Sequence, residues 1–321
     1  MTGAFDLHAH VVLEDAFGCA GAFGPFHGVD DRGREFFRVG EYTMAPIPYR
    51  GSVFMDLDRR VAAMDALGID RQLVSPNPLT FFGRVPADDA IAFARATNDA
   101  MAATVAAGGG RVLGAAQLPL QDPEAAVREL DRAIERLGLS AAYVGSDYGF
   151  GFDDPRLDDV YARLVELDVP LFVHGVTNDG AGPAPDERLR RHGLDLIVGY
   201  TYEETLTAAA FVLGGVLDRH PGLDVCISHG GGAIAFLAQR FESMAAFRRT
   251  DVDLVAGLRR LWFDSHLEPG PALDLVVATV GADRMVYGTN FGGWDTPREI
   301  TDFDRSLTPN ASRLLRVKDA P

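Results

Sequence analysis

Eight short apolar segments, each of about strand length, alternate along this chain with longer amphipathic stretches. They cover residues 4–10, 72–77, 112–120, 141–147, 170–175, 224–230, 261–266 and 284–290. Strands separated by helices favour a parallel sheet. Eight of them favour closure into an α/β fold of the (β/α)8 TIM-barrel type. An open doubly wound sheet is the competing fold, but no glycine-rich phosphate loop follows the first segment.

The stretches between the apolar segments carry helical patterns. Residues 56–67 repeat apolar side chains at helical spacing. Asp122, Pro123 and Glu124 supply an N-cap, a first-turn proline and an early acid for a helix that ends before Gly138. Similar patterns cover residues 88–106, 155–167, 203–219, 233–246 and 297–305.

Residues 14–55 interrupt this alternation with many Gly, Pro and aromatic residues and no clear period. So long a segment without regular structure is uncommon in a compact domain unless it is functional. Because it follows the first strand, it would lie on the active-site face of a barrel. We therefore predict a lid or pocket insertion within a single domain, residues 1–321, with a surface excursion as the alternative.

The composition excludes several classes of protein. The formal net charge is −16, which disfavours nucleic acid and anionic membranes as partners. Cys19 and Cys226 are too few and too far apart for a disulfide framework. The sequence contains neither a signal-peptide pattern nor an apolar run of about 18 residues. These features predict a cytoplasmic protein with a small-molecule partner.

The segment Asp6-Leu7-His8-Ala9-His10 is the sharpest local motif. Alternate residues of a strand face the same side, so His8 and His10 point together and Asp6 shares that side. Two imidazoles that converge at one strand end can chelate a metal ion of the zinc class.

Three further predicted strands end in a histidine. They end at His174, His229 and His266. Because the carboxyl ends of barrel strands converge on one pocket, these side chains can share a site despite their separation in sequence. Glycines 230–232, which follow His229, would allow close approach of a ligand or serve a turn.

The order and spacing of four motifs resemble the amidohydrolase family. The motifs are DLHAH at 6–10, FVHG at 172–175, SHGGGA at 228–233 and GTNF at 288–291. The resemblance spans nearly the whole chain. It is nearest to the metal-dependent decarboxylase branch, that of aminocarboxymuconate-semialdehyde decarboxylase.

The resemblance implies roles for individual residues. His8, His10 and His174 would bind one divalent metal, zinc or alternatively manganese, and His229 would be the catalytic histidine. Asp6 would support a histidine without touching the metal.

The resemblance also implies a homodimer. Arg240 would reach from one subunit into the neighbouring site and bind a substrate carboxylate.

Two positions depart from the family pattern. Asn290 stands where the family has an aspartate that binds metal and transfers protons. An amide can offer an oxygen to a metal but cannot act as an acid or base. Asp295 lies nearby as a poor replacement. In the insertion, Gly40 and Glu41 stand where a substrate-binding arginine is expected, so the substrate should differ from that relative's.

These observations support three functional hypotheses. The first is non-oxidative decarboxylation of an unsaturated or aromatic carboxylic acid, with position 290 altered from Asp to Asn. The second is hydrolysis of a C–C, ester, lactone or amide bond, because the same site supports both reactions. The third is a non-catalytic binding protein.

A cluster of aromatic residues suits a flat substrate or lid packing equally, and it comprises Phe17, Phe23, Phe26, Phe36, Phe37, Tyr42, Tyr49, Phe81 and Phe82.

Overall fold

Eight parallel strands form one closed sheet in the computed structural model, which describes residues 3–177, 186–244, 247, 252–293 and 299–317. The strands are β1 (Ala4–Val11), β5 (Ile69–Pro76), β6 (Val112–Ala116), β7 (Ala141–Gly145), β8 (Leu171–His174), β9 (Val225–Ile227), β10 (Trp262–Asp264) and β11 (Met285–Val286). They pair in chain order from β1 to β11. The backbone N–H of Leu7 then donates to the carbonyl of Tyr287 across 2.8 Å, which joins the last strand to the first. The predicted (β/α)8 barrel is confirmed.

Helices follow the strands and surround the sheet. They are α1 (Leu57–Leu67), α2 (Ala87–Ala107), α3 (Pro123–Asp131), α4 (Asp158–Leu167), α5 (Tyr200–Leu213), α6 (Val216–Arg219), α7 (Ile234–Ser243), α8 (Leu254–Leu258), α9 (Pro271–Val280), α10 (Asp302–Ser306) and α11 (Thr308–Leu314). No helix within the described residues combines the length and apolar character that a membrane crossing requires.

Capping residues fix several of these helix ends. The Asp56 carboxylate accepts from the backbone N–H of Arg59 at the start of α1, and Gly68 ends that helix in a left-handed conformation. Asp122 caps α3 by accepting from Ala125, as predicted, and a π-helical turn continues the helix through residues 132–136. Capping residues therefore determine where these helices begin and end.

The insertion after β1 is a folded unit. A three-stranded antiparallel sheet comprises β2 (Phe26–Val29), β3 (Glu35–Val39) and β4 (Tyr42–Met44). Phe37 and Val39 are buried and pack against Phe82 and Phe93 of the following barrel segment. The insertion is therefore held on the barrel by its own apolar cluster.

Two larger apolar clusters stabilise the barrel. One joins strand residues such as Leu7 and Phe172 with Leu314 of α11. The other joins strand residues such as Val74 and Val173 with helix residues such as Phe211. Packing on both faces leaves the carboxyl ends of the strands as the place where polar side chains collect.

Candidate metal centre and active site

The first barrel strand brings two imidazoles together at its carboxyl end. The pairing of β1 with β5 is irregular between Asp6 and Ala9, so the strand carries a bulge there. His8 Nδ1 lies 2.7 Å from the Asp264 carboxylate. His10 Nδ1 lies 2.9 Å from the hydroxyl of Ser75. Both rings are thus held through Nδ1, which leaves Nε2 to face the site.

Two more imidazoles, those of His174 and His229, lie at the ends of β8 and β9. His174 Nδ1 donates to the carbonyl of Gly175 across 2.7 Å. His229 Nδ1 lies 2.6 Å from the Glu204 carboxylate, on α5. His229 adopts a left-handed backbone conformation, with φ of 49°, which is uncommon outside glycine. Backbone strain of this kind concentrates at functional sites.

The Nε2 atoms of these rings point at one another. The carbonyl or carboxylate at Nδ1 of His8, His174 and His229 requires a proton there, so Nε2 of these three rings carries a lone pair. The Nε2 atoms of His8 and His10 are only 3.2 Å apart. His174 Nε2 is buried and has no hydrogen-bond partner in the described part of the chain. The Nε2 lone pairs that face the site can bind a cation.

The arrangement fits a divalent metal ion. Nitrogen ligands at about 2.0–2.1 Å from zinc in a tetrahedral site lie about 3.3–3.4 Å from each other. One ligand atom each from His8, His174 and His229 also lies within 4.8 Å of the others. Ligand atoms of these three imidazoles therefore lie close enough together to share one ion, and Nε2 of His10 lies beside that of His8.

Burial keeps these imidazoles neutral. It lowers the pKa of His10 to about 3 and the pKa values of His8 and His174 well below their ordinary range. Metal ligation requires the neutral imidazole, so burial prepares these rings for a cation.

Asp6 is placed differently from the expectation for a regular strand. Its carboxylate accepts from Gln72 Nε2 at 2.8 Å, from Thr289 Oγ1 at 2.7 Å and from the backbone N–H of His8 at 3.0 Å. Burial raises the pKa of Asp6 to about 6. Because of the bulge, Asp6 supports His8 through its main chain, and the carboxylate at the His8 ring is Asp264.

Two buried carboxylates at the site, Asp264 and Glu204, were not predicted from the sequence. Asp264 also accepts from the backbone N–H of Gly230 and of His266, and it is buried. Glu204 lies within a helix and is fully buried. A weak signal for Asp264 was present, since it ends an apolar run two residues before His266. For Glu204, the one sequence signal is that an acidic residue lies on an otherwise apolar helix face.

The imidazoles open onto a cavity of about 490 Å³. Its apolar wall combines the insertion with α5 and its preceding turn, and it includes Ile47, Tyr49, Phe54, Leu79, Leu196, Ile197, Tyr200 and Leu267. Among the described residues that line it, none is Lys, Arg, Asp or Glu. The cavity thus pairs a cluster of imidazoles with neutral, largely apolar walls, which is typical of sites for small organic molecules.

Most of the aromatic cluster in the insertion has a packing role. Of its predicted members, Tyr49 is the one that lines the cavity within the described residues, and Phe54 joins it. Phe37, Phe81 and Phe82 are instead buried in the apolar clusters.

Asn290 follows β11 and lines the cavity. Its side chain hydrogen-bonds to His10, and its backbone is left-handed with φ of 54°. A Cβ at position 293 would come within 2.2 Å of Asn290 Oδ1, so Gly293 provides the room for this amide. Asp295 lies outside the described residues.

Arg240 and His266 lie differently with respect to the cavity. Arg240 is exposed on α7 and does not line its own chain's cavity in the described residues. His266 lines the cavity, with its ring centroid 5.3 Å from that of His229.

The glycines after His229 serve packing. Gly232 has φ of 64°, and a Cβ there would lie 2.0 Å from the carbonyl oxygen of Thr201 on α5. This turn can therefore pack against the helix that carries Glu204 only without a side chain.

Comparison with known proteins identifies the class. The amidohydrolase family model matches residues 5–313, and the chain belongs to that family. The fold and the histidine-ended strands agree with this membership.

The relatives define the branch. The chain is 28% identical over 305 residues to 2-amino-3-carboxymuconate-6-semialdehyde decarboxylase of Dictyostelium discoideum, covering 89% of this chain and 80% of that protein. It is 27% identical over 290 residues to gamma-resorcylate decarboxylase of Rhizobium radiobacter, covering 81% and 87%. A solved structure of a dihydroxybenzoic acid decarboxylase from Polaromonas sp. JS666 superposes on this chain with a TM-score of 0.76. The two are 23% identical, and the match covers 98% of this chain and 97% of that one. That structure contains bound manganese and the inhibitor 2-nitroresorcinol. The predicted resemblance to the decarboxylase branch is confirmed.

Proposed function

We propose that this protein is a metal-dependent carboxy-lyase that removes carbon dioxide, without oxidation, from an unsaturated or aromatic carboxylic acid. The observation that carries the proposal is the cluster of His8, His10, His174 and His229 beside a cavity with no charged side chain among its described lining residues. The names of the decarboxylase relatives support the same reaction class.

Within this site we assign the metal to His8, His10 and His174. Each is at most 1% exposed, and their ring centroids are all 5.0 Å apart. The donor set of neutral nitrogens suits zinc, and manganese is the alternative because a structural neighbour contains it. When bound, the ion would supply a positive charge that holds and orients substrate oxygens.

We assign proton transfer to His229. It is more exposed than the three proposed ligands, lines the cavity, and is oriented by Glu204 at Nδ1. In its protonated form, which the Glu204 carboxylate would stabilise, His229 passes a proton from Nε2 to the ring carbon that carries the carboxylate. The C–C bond then breaks, its electron pair returns to the ring, and carbon dioxide leaves.

A dimer would complete the site with Arg240 of a second copy. The neutral cavity offers no cation for a substrate carboxylate from the described residues of its own chain. Phe236 on α7 and Met244, which directly follows that helix, lie four residues on either side of Arg240, and Phe236 is 77% exposed. Large exposed apolar side chains around an arginine are typical of a protein interface. The predicted cytoplasmic location stays a prediction.

The proposal is tested with protein loaded separately with zinc, manganese and cobalt. We expect release of carbon dioxide from at least one member of a panel of aromatic and dienoic acids, with one deuterium at the vacated carbon when the reaction runs in D2O. Hydrolysis of esters or lactones without carbon dioxide release would establish a hydrolase instead. Tight binding of ring acids with no turnover, even after Asn290→Asp, would establish a binding protein.

A further inference from the structure

The insertion contributes one polar group to an otherwise apolar wall, the hydroxyl of Tyr49. The ring is 2% exposed and packs against Phe54 and Phe37, with centroids 4.7 and 5.1 Å away. Its hydroxyl lies 3.1 Å from Nδ2 of Asn77, which also lines the cavity. Asn77 follows β5, two residues after the Ser75 that holds His10. This polar pair is therefore close to the metal centre in the fold.

The direction of the hydrogen bond leaves a donor available. The backbone N–H of Leu79 donates to Asn77 across 3.0 Å, so the atom that accepts there is Oδ1. The other end of the amide, Nδ2, must then face Tyr49 and donate to it. Tyr49 accepts this bond, and its own proton points elsewhere. Within the described residues, Asn77 is the one partner of the hydroxyl.

A buried hydroxyl donor without an acceptor is costly unless a ligand supplies one. Burial raises the pKa of Tyr49 above its ordinary value, so the hydroxyl keeps its proton at neutral pH. The same wall lacks any charged side chain in the described residues. A substituent next to Tyr49 should thus accept a hydrogen bond and carry no charge.

We propose that Tyr49 and Asn77 determine substrate specificity by selecting ring acids with a neutral hydrogen-bond acceptor, such as a hydroxyl, away from the carboxylate. The proposal rests on the proposed function for the identity of the carboxylate-binding end. A second carboxylate at the Tyr49 end is disfavoured, because burial of an unpaired charge costs far more than burial of a hydroxyl.

The alternative role for this pair is to anchor the insertion to the barrel. The two roles differ in a measurable way. Loss of an anchor weakens the binding of every ligand to a similar extent, whereas loss of a specificity contact weakens the binding of ligands with the matching substituent alone.

The test measures equilibrium binding by calorimetry to the metal-loaded full chain, so it does not require turnover. The probes are 3- and 4-hydroxybenzoate, the corresponding methylbenzoates of similar shape, and the 1,3- and 1,4-benzenedicarboxylates. We expect at least one hydroxybenzoate to bind about tenfold more tightly than its methyl counterpart, the value of one buried hydrogen bond. Tyr49→Phe should abolish this preference, with the affinity for methylbenzoates unchanged.

Two further variants make the result specific. Asn77→Asp keeps the oxygen that accepts from Leu79, but its second oxygen would accept a hydrogen bond from the Tyr49 hydroxyl. This variant should therefore also abolish the hydroxyl preference. Tyr42→Phe removes a hydroxyl from the insertion outside the cavity-lining set and should leave the preference intact. Thermal unfolding of each variant verifies that it is folded.

Several outcomes would overturn the proposal. These are equal weakening of all ligands by Tyr49→Phe, tight binding of a dicarboxylate, or no binding of any ring acid. Failure of the proposed function looks different. The hydroxyl preference would then be present and sensitive to Tyr49→Phe, while no ring acid releases carbon dioxide.

Discussion

The Glu204 carboxylate lies 2.6 Å from His229 Nδ1, although 25 residues separate them along the chain. Glu204 is fully buried on α5, and it also accepts from the backbone N–H of Gly175, next to His174. One carboxylate therefore contacts the imidazole of His229 and the main chain next to His174. It fixes the tautomer of His229 and would stabilise its protonated form.

We predict that Glu204→Gln lowers kcat about 10²-fold and leaves metal content unchanged, because a neutral amide cannot stabilise the protonated form of His229. The measurements are steady-state kinetics, with a pH profile, and elemental analysis. Glu203→Gln is the matched control, because Glu203 precedes Glu204 on α5 and its side chain hydrogen-bonds Ser146. A similar loss of activity in both variants would show that Glu204 has only a structural role.

The histidines of the site should differ in what their removal does. We predict that His174→Ala loses the metal, while His229→Ala keeps it and loses turnover by about 10²–10⁴-fold. Removing a ligand weakens the metal site, whereas removing an acid/base group leaves it intact. Elemental analysis before and after reloading with zinc or manganese gives the metal content. Metal lost from His229→Ala but retained by His174→Ala would mean that the two roles are exchanged.

The positions of the four histidines were predictable because each ends a strand, and a closed barrel brings all strand ends to one face. Glu204 and Asp264 were not, since their roles arise from contacts with residues far away in sequence. The bulge in β1 was equally hidden, and it turned Asp6 toward Gln72 and Thr289. The three-stranded sheet of the insertion escaped prediction because its strands are only three to five residues long.

The role of Arg240 across a dimer can be tested by complementation. We predict that Arg240→Ala and His229→Ala are each nearly inactive and that co-refolded or coexpressed mixtures recover part of the activity. In the mixed dimer, one site has its own His229 and the partner's intact arginine. Light scattering at micromolar concentration should give the mass of a dimer. Two inactive variants that stay inactive in a verified mixed dimer would refute the cross-subunit role and leave the metal site untouched.

Glu203, next to Glu204 on α5, gives a prediction for stability against pH. Burial, with a smaller contribution from Asp147, raises its pKa to about 7. The native state therefore holds a proton that the unfolded state releases above about 4.5, so this residue's contribution becomes less favourable as the pH rises from 4.5 to 7.

Replacing Glu203 with Gln should remove that penalty. Since the side chain is partly exposed, solvent screening reduces the gain, and we expect the free energy of unfolding at pH 8 to rise by about 1–2 kcal/mol. At pH 4.5 the change should be near zero. Denaturant unfolding at both pH values measures this, and exposed Glu124→Gln is the control. An equal change at both pH values would assign the effect to packing.

At position 290, replacing asparagine with aspartate would change the chemistry of the side chain and keep its shape. Its amide contacts His10 and lines the cavity, and among the described lining residues no carboxylate replaces it. An aspartate has nearly the same shape and tolerates the same left-handed backbone. It would lower the net charge of the metal centre and hold or deliver a proton, which the amide cannot do.

We therefore predict that Asn290→Asp raises kcat, by up to the 10²–10⁴-fold that one acid/base group contributes, or about 3–5 kcal/mol of barrier. Binding of ring acids should change little, because binding and transition-state stabilisation are separable. The comparison uses both forms at equal metal content on the panel of aromatic and dienoic acids, with Asn290→Ala as the control that removes the side chain. Equal turnover by the Asn and Asp forms would show that position 290 does not handle the proton. His229 with Glu204 would then account for the acid/base chemistry of this site without a group at position 290.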